Sequence, residues 1–548
     1  MDDKLKAALT LILIYSSYAF LSLSLAQSLL AGIVFSLVLW YLDDEHTKNL
    51  PPGPPQFPLI GCLISLIFQK LDFIFAQNSH KKYGPIVNAS IGKLPMIFVG
   101  DYEMAKEVSV HPELQLRPNI GLISEFNKKL GIITADGNLW KHQRRFLLHS
   151  LRDSGMGKLR MQEKIQDELD KIMGVLDGSK GEPMYMHSLL EKSTANIIFA
   201  LAFNKQFDYD DQDFINRITA LDNNLKYMAA IAPFTFNKQF DYDDHEFIDR
   251  ITALDNNFKY LAAAGPLSVF GFLRPFISGF LKKIYANIEL MKIQSQEFID
   301  EHKATLDPNN PRDLLDLYLI EMDRVVEDDK EDAGYHKTFY EEQLKYLIID
   351  IFGAGTETSS TTIRWALLYM VRHPEIQEKV RKEIDEVVGT ERYPQMEDKS
   401  NLPYTTAALQ EAERLGSAIA QSLPRSSENA VKFRNYIIPK RSLVAFSLYT
   451  IHRDPKLWDD PDSFNPSRFI DAEGKVFRPP YLMPFGSGKR NCAGESLAKM
   501  EIFLFFATLL QNFVFKAPDK NSLPPLTSPK GVIRVPSPYQ VKCLRRQR

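Results

Sequence analysis

Cys492 is the residue with the most chemistry around it. It lies in Phe485-Gly486-Ser487-Gly488-Lys489-Arg490-Asn491-Cys492-Ala493-Gly494, ahead of Leu497, Met500, Phe503, Leu504 and Ala507 at helical spacing. That spacing predicts a helix opened by the cysteine. A thiol there feels the positive end of the helix dipole and the cations of Lys489 and Arg490, and both favour the metal-binding thiolate. Gly486 and Gly488 allow backbone amides to approach the sulfur and tune it. Cys62 and Cys543 are the only other cysteines and form no C-x-x-C pair, which excludes a disulfide framework and a cysteine zinc site. A lone cysteine in this setting suits a haem iron.

A second constellation is Ala354-Gly355-Thr356-Glu357-Thr358, inside a long apolar run from Gln343 to Val371 that ends at His373-Pro374. Gly353 and Gly355 each cost about 1 kcal/mol relative to alanine in a helix interior. A locally opened helix explains them, with the Thr358 hydroxyl competing for the Ala354 carbonyl beside a ligand groove. An acid followed by an alcohol can relay protons there, Glu357 collecting from solvent and Thr358 orienting the donor. Glu411 and Arg414, three apart, share a helix face and can pair. Trp140 and Arg144, four apart, place two donors for a carboxylate on one face.

These groups need a scaffold, and the chain supplies one that is mostly helical with short strands. Lys345, Asp350, Glu357 and Arg364 argue that Gln343–Val371 is a core helix and not a bilayer span. Lys plus Arg number 66 against 69 Asp plus Glu, a net charge of −3, which disfavours a nucleic-acid binder. Apolar residues at 45% and charged residues at 25% exclude collagen-like, disordered and polytopic membrane classes. No G-x-G-x-x-G or Walker loop is present, so the chain carries no recognisable nicotinamide or nucleotide site of its own.

Three segments organise the chain. Ala7 to Leu42 carries no charge, and Phe20 to Leu42 alone is long enough to cross the bilayer as a retained helix. Pro51-Pro52-Gly53-Pro54-Pro55 then reads as a semi-rigid hinge. We therefore expect an anchor at 1–42, a hinge at 43–56 and a catalytic domain at 57–548. Within the last, Phe203 to Ala230 recurs 33 residues later as Phe236 to Ala263 with five differences, which points to a recent tandem duplication or two joined alternative exons. Phe214, Ile218 and Leu221 match Phe247, Ile251 and Leu254, so the two copies offer one amphipathic helix for the same buried slot.

The cysteine stretch resembles the haem-binding loop of the cytochromes P-450, F-x-x-G-x-R-x-C-x-G, at every fixed position, and the details are similar to microsomal animal members. The resemblance covers nearly everything from the hinge onward and implies the cytochrome P-450 fold, mainly α with small β-sheets, with haem b between the central helix and the cysteine helix. It implies that Cys492 is the axial iron ligand, and that Trp140, Arg144, Arg425 and Arg490 hold haem. Glu357 and Thr358 then activate oxygen, and Glu411, Arg414 and Arg468 form a buried ion network. Glu413 departs from the apolar residue usual in that network's helix, and the 33-residue duplication falls in the region that roofs the substrate pocket. The implied reaction inserts one atom of dioxygen into an apolar small molecule. Electrons would come from NADPH-cytochrome P-450 reductase, docking near Lys141, Arg145, Lys489 and Lys499, and cytochrome b5 would be a further partner. The implied place is the endoplasmic reticulum membrane, in contact with its lipid, catalytic domain in the cytosol. A haem-thiolate isomerase or dehydratase, and a catalytically impaired haem-binding relative, stay open as alternatives.

Overall fold

The computed structural model describes residues 49–57, 61–62, 73–92, 94–119, 128–153, 159–220, 278–327, 335, 337–528 and 533–546, with scattered positions among the first 35. The apolar run up to Leu42 lies almost entirely outside them, as does the second repeat copy. Among the described residues no helix is long and apolar enough to cross a membrane.

Among the described residues the fold is mainly helical with three small sheets. Its axis is a central helix of 32 residues, Glu341–Arg372, capped by His373 and followed at once by a helix that starts with Pro374. The proline ends the helix as expected, because it disfavours helical geometry at the residue before it. Trp365, Ala366, Leu367 and Leu368 on this helix are fully buried. Helix His187–Phe203 packs closely along it, and Gly355 is what allows that. A Cβ at Gly355 would sit 2.6 Å from Ile198 Cδ1. The backbone stays helical through Gly353 and Gly355, so close approach of a neighbouring helix, and no break in this one, accounts for Gly355.

The cysteine helix, Glu495–Asn512, packs against the central helix and against helix Pro403–Gly416, which carries Glu411 and Arg414. Strands β1 (Ile86–Asn88), β2 (Met96–Val99) and β3 (Leu443–Phe446) form one sheet, β1 antiparallel and β3 parallel to β2. Ile97, Val99, Val444 and Phe446 from this sheet bury into a second, smaller core with Met483 near the cysteine loop. The first repeat copy is docked where its sequence pattern demands. Residues 212–220 are helical, Phe214 and Ile218 are buried, and Phe214 stacks on Phe207 at 5.1 Å.

Two polar residues of the central helix, two turns apart, hold the 130–133 loop that precedes the Trp140 helix. Gln343 exchanges two 2.9 Å hydrogen bonds with the Gly131 backbone. Asp350 Oδ2 accepts from the Ile132 and Ile133 amides at 2.6 and 2.8 Å. Gly131 is required there, since its φ is +73° and a Cβ would lie 2.1 Å from Asp350 Oδ2. Burial raises the Asp350 carboxyl to about 7, against the pull of the two amides and of Arg117. An unfolded aspartate titrates near about 4. Between those values the folded chain keeps a proton that the unfolded chain has lost, so stability should fall as pH rises through that window and level off above about 7. Urea unfolding at several pH values checks this, and Asp350→Asn should flatten the slope.

Candidate active site

The cysteine loop is a tight structure closed by its own backbone. The Cys492 amide donates to the Phe485 carbonyl at 2.9 Å, and Gly486 and Gly488 turn the chain with φ of +74° and +73°. A Cβ on Gly488 would lie 2.2 Å from the Ser109 carbonyl, so this glycine serves close approach to helix Tyr102–Val110. The amide that reaches the sulfur is that of Gly494, the N-cap of the cysteine helix. Cys492 thus precedes the helix start at Glu495 and does not open it. Its thiol is exposed to solvent while protein surrounds it closely enough for desolvation to raise its pKa, with Gly494 and Arg144 opposing. The expectation that Lys489 and Arg490 ionise the thiol is corrected: Lys489 is exposed, and Arg490 is committed elsewhere.

On the central helix, Ala354 is exposed and Gly353, Gly355 and Thr358 are half-buried, although most residues on either side are buried. The helix is thus open to solvent at its middle. Thr358 Oγ1 donates to the Ala354 carbonyl at 2.6 Å, as its spacing predicts. Glu357 is buried at 5% exposure and accepts from Thr361 Oγ1 at 3.0 Å, so it does not reach bulk solvent as expected. Leu423 is exposed, whereas Phe352 belongs to an aromatic core with Phe199 and Phe203 at 4.4 and 5.4 Å.

Four guanidinium groups gather beside the loop. Arg490 donates to the Gln115 and Ala135 carbonyls and, at 2.8 Å, to Asp136, with its guanidinium 3.9 Å from the centre of the Trp140 ring. Arg144 lies 5.9 Å from the same ring and donates to Asn491 Oδ1 at 2.6 Å. Arg425 donates to the Ser109 and Ser487 carbonyls and to Gln115. Arg117, which no local pattern flagged, donates to the carbonyls of Ile133, Leu423 and Pro424. Burial, then the charges of Arg490 and Arg425, press Arg117 down to about 9, with Asp136 opposing. Asp136 accepts from the Arg490 guanidinium and the Arg117 amide, and Lys129 also pairs with it at 2.8 Å.

The sequence profile of the family described as Cytochrome P450 matches residues 51–233 and again 227–543. Cytochrome P450 2C25 of Mesocricetus auratus is 34% identical over 518 residues, 94% of this chain and 97% of that protein. Cytochrome P450 2C1 of Oryctolagus cuniculus is 36% identical over 510 residues, 92% and 96% of the two chains. Cytochrome P450 2C8 of Homo sapiens is 34% identical over 512 residues, 93% and 96%. The chain belongs to the cytochrome P450 family. It is a cytochrome P450 monooxygenase, and its cofactor is haem b. The two matched stretches overlap by only a few residues, and each contains one repeat copy.

The residues fit that cofactor. Arg117, Arg490 and Lys129 share the carboxylate of Asp136, while Arg144 and Arg425 donate to neutral oxygens, a cationic excess that the two propionates of a haem would offset. An accessible sulfur lies at the same loop. Removing Arg117 should therefore do two things. Arg117→Ala leaves three backbone carbonyls without their donor, each worth about 1–3 kcal/mol if it stays buried and unpaired, and it weakens the cradle for anions. A lower melting temperature without haem and a lower haem-to-protein ratio after purification are the expected readouts.

Helix Pro403–Gly416 supports the loop from below. Arg414 is fully buried and donates to both Glu411 oxygens at 2.7 and 2.8 Å, and to the carbonyls of His452, Pro461 and Ser463. Arg468 Nε and the Asn465 amide also donate to Glu411 Oε1, at 3.0 and 2.9 Å. Glu413, unusual in its sequence context, finds Arg478 at 3.0 Å. His452, missed from sequence, accepts the Met483 amide at Nε2, two residues before Phe485. The network thereby connects directly to the start of the cysteine loop.

Proposed function

We propose that Cys492 would supply the thiolate that holds the haem iron and that the chain hydroxylates or epoxidises apolar small molecules. The observation that carries this is the meeting of an exposed, lone thiol with a cationic cradle at one loop. Trp140, Arg144, Arg425 and Arg490, with Arg117 added, would hold the haem by its propionates. When bound, the haem supplies oxygen binding and activation, and a thiolate ligand favours O–O cleavage. The chain's own residues do the rest. Thr358 holds its hydroxyl on the Ala354 carbonyl at the open middle of the helix, placed to orient a proton donor, and Glu357 behind it supplies an acid or base within the helix. Ala354 and Leu423 offer apolar surface to a substrate. Glu411, Arg414 and Arg468 keep the loop in place.

Electrons come from a partner, which we assign as NADPH-cytochrome P-450 reductase, with cytochrome b5 as a second. Lys141, Arg145 and Lys489 are exposed cations suited to an acidic flavoprotein surface, whereas Lys499 is paired with Glu495 at 2.6 Å. Residues 1–42 anchor the chain in the endoplasmic reticulum membrane, 43–56 form the hinge, and 57–548 face the cytosol as the catalytic domain. Of the two repeat copies we take one as surplus, because each matched stretch of the family profile contains its own copy.

The test is spectral and then catalytic. Carbon monoxide added to the reduced protein should red-shift the Soret band as thiolate ligation requires, and oxygenated product should form only with NADPH and reductase present. Rearrangement or dehydration of an organic peroxide without electrons, with no oxygen transferred to a second molecule, would favour an isomerase or dehydratase instead.

A further inference from the structure

Asn491 stands directly before Cys492, and no role above uses its side chain. Its backbone is fixed, because it closes the short helical turn Gly488–Arg490 with its amide donating to the Gly488 carbonyl at 3.1 Å. From that anchored position its side-chain oxygen Oδ1 accepts from Arg144 Nη2 at 2.6 Å, across 347 positions of sequence. A guanidinium only donates and the amide nitrogen cannot accept, so the chemistry settles which way the asparagine amide faces. Both side chains are half-buried, where a short hydrogen bond from a charged donor is stronger than in water.

Arg144 differs from its neighbours in the cradle. Arg490 is held by two carbonyls and Asp136, Arg425 by two carbonyls and Gln115, and Arg117 by three carbonyls. Among the described residues the Arg144 side chain makes one hydrogen bond, the one to Asn491, and pairs with no carboxylate. An arginine held at a single point regains its rotamer freedom when that point is lost.

We propose that Asn491 is a positioning residue whose side-chain oxygen pins the Arg144 guanidinium to the cysteine loop, so that one cation is aimed at a haem propionate and stands next to the residue that carries the sulfur. The donors of a guanidinium lie in a rigid fork. With Nη2 spent on Asn491, the edge formed by Nε and Nη1 stays open to an anion, and its direction is set before the anion arrives. Preorganisation of that kind lowers the cost of binding. A fixed cation also stabilises the negative charge that reduction adds at the haem, and does so more strongly in a half-buried site than in water.

The inference rests on the roles given above to Arg144 and Cys492. Full-length, haem-loaded chain is compared with Asn491→Leu, Arg144→Ala and the double variant. Leucine is close to asparagine in size and keeps the backbone bond from residue 491 to Gly488, so the loop stays closed. Two quantities are read: the rate at which haem passes to an excess of a haem-scavenging globin, and the reduction potential of the bound haem. Asn491→Leu should release haem about 10-fold faster than the parent, the effect usual when an outer partner at a metal site is lost, and its potential should shift to a more negative value. Arg144→Ala should do at least as much in both. The double variant should match Arg144→Ala alone, because Asn491 acts through Arg144 and has nothing to hold once it is gone. A side chain that merely packed the loop would leave the potential unmoved and would add its own loss to that of Arg144→Ala. Either of those results, or unchanged haem release in Asn491→Leu, overturns the proposal. Should Asn491→Leu fail to take up haem, Asn491→Ala carries the same cycle and the same comparisons decide. A parent whose reduced form lacks the red-shifted carbon monoxide band would instead sink the reading of Cys492, while the haem-release cycle would still report on Asn491 and Arg144.

Discussion

Arg414→Ala should destabilise the protein by about 3–5 kcal/mol, the loss expected when one partner of a buried ion pair is removed. Every donor of this guanidinium is used: Nε and Nη2 on Glu411, Nη1 on the His452 and Pro461 carbonyls, and Nη2 again on Ser463. Alanine leaves the Glu411 carboxylate buried with only Arg468 and the Asn465 amide, and frees three carbonyls in the segment that leads to the cysteine loop. With total stabilities of about 5–15 kcal/mol, that is a large share of what holds a domain together. Arg414→Lys keeps the charge but loses the planar fork, so it should recover only part of the loss. Arg468→Ala should cost less, because Glu411 keeps its two bonds from Arg414. Urea unfolding and haem content of the three variants, measured side by side, check the ranking. An Arg414→Ala protein that unfolds within about 1 kcal/mol of the parent, as loss of an exposed pair would allow, would show that the network is not what holds the loop.

What the sequence made legible were features written within a few helical turns. The proline-stopped central helix, the Thr358 bond back to Ala354, the pairing of Glu411 with Arg414 and the shared face of Trp140 and Arg144 all follow from spacings of three or four residues. What it hid depends on partners far along the chain. Arg117 finds Pro424, Asp350 finds the 132–133 amides, Glu413 finds Arg478, and His452 finds Met483, and no periodicity links any of these pairs. The glycines show the same limit. Gly355 looked like a helix opener, but its cause is Ile198 on another helix, and Gly488 looked like access to sulfur, but its cause is Ser109. A glycine's sequence neighbours reveal that something comes close without revealing what. The repeat is a further case. Its two copies are interchangeable by pattern, and only the three-dimensional contacts show the first one seated, with Tyr209 bonded to Glu168 and Phe207 to Asn196.

Cys492→Ser should separate chemistry from folding more cleanly than any other substitution. Cys492 is exposed, and the bond that closes the loop runs from the Cys492 backbone amide to Phe485, which serine keeps. Without haem, the unfolding midpoint should therefore match the parent, unlike that of Arg414→Ala. Ligand chemistry should change completely. A serine hydroxyl is a harder donor that stays protonated near neutral pH, so the Gly494 amide and Arg144 would have no thiolate to stabilise. Losing an outer partner of a metal ligand typically costs about 10–100-fold in affinity or activity, and losing the ligand itself should exceed that. The carbon monoxide difference band should move away from its thiolate position and NADPH-dependent product should fall to the level of reductase alone. An unaltered band with turnover intact would mean that iron is held by some other residue, and Cys62 and Cys543, both buried with thiols pushed up to about 12, offer no replacement.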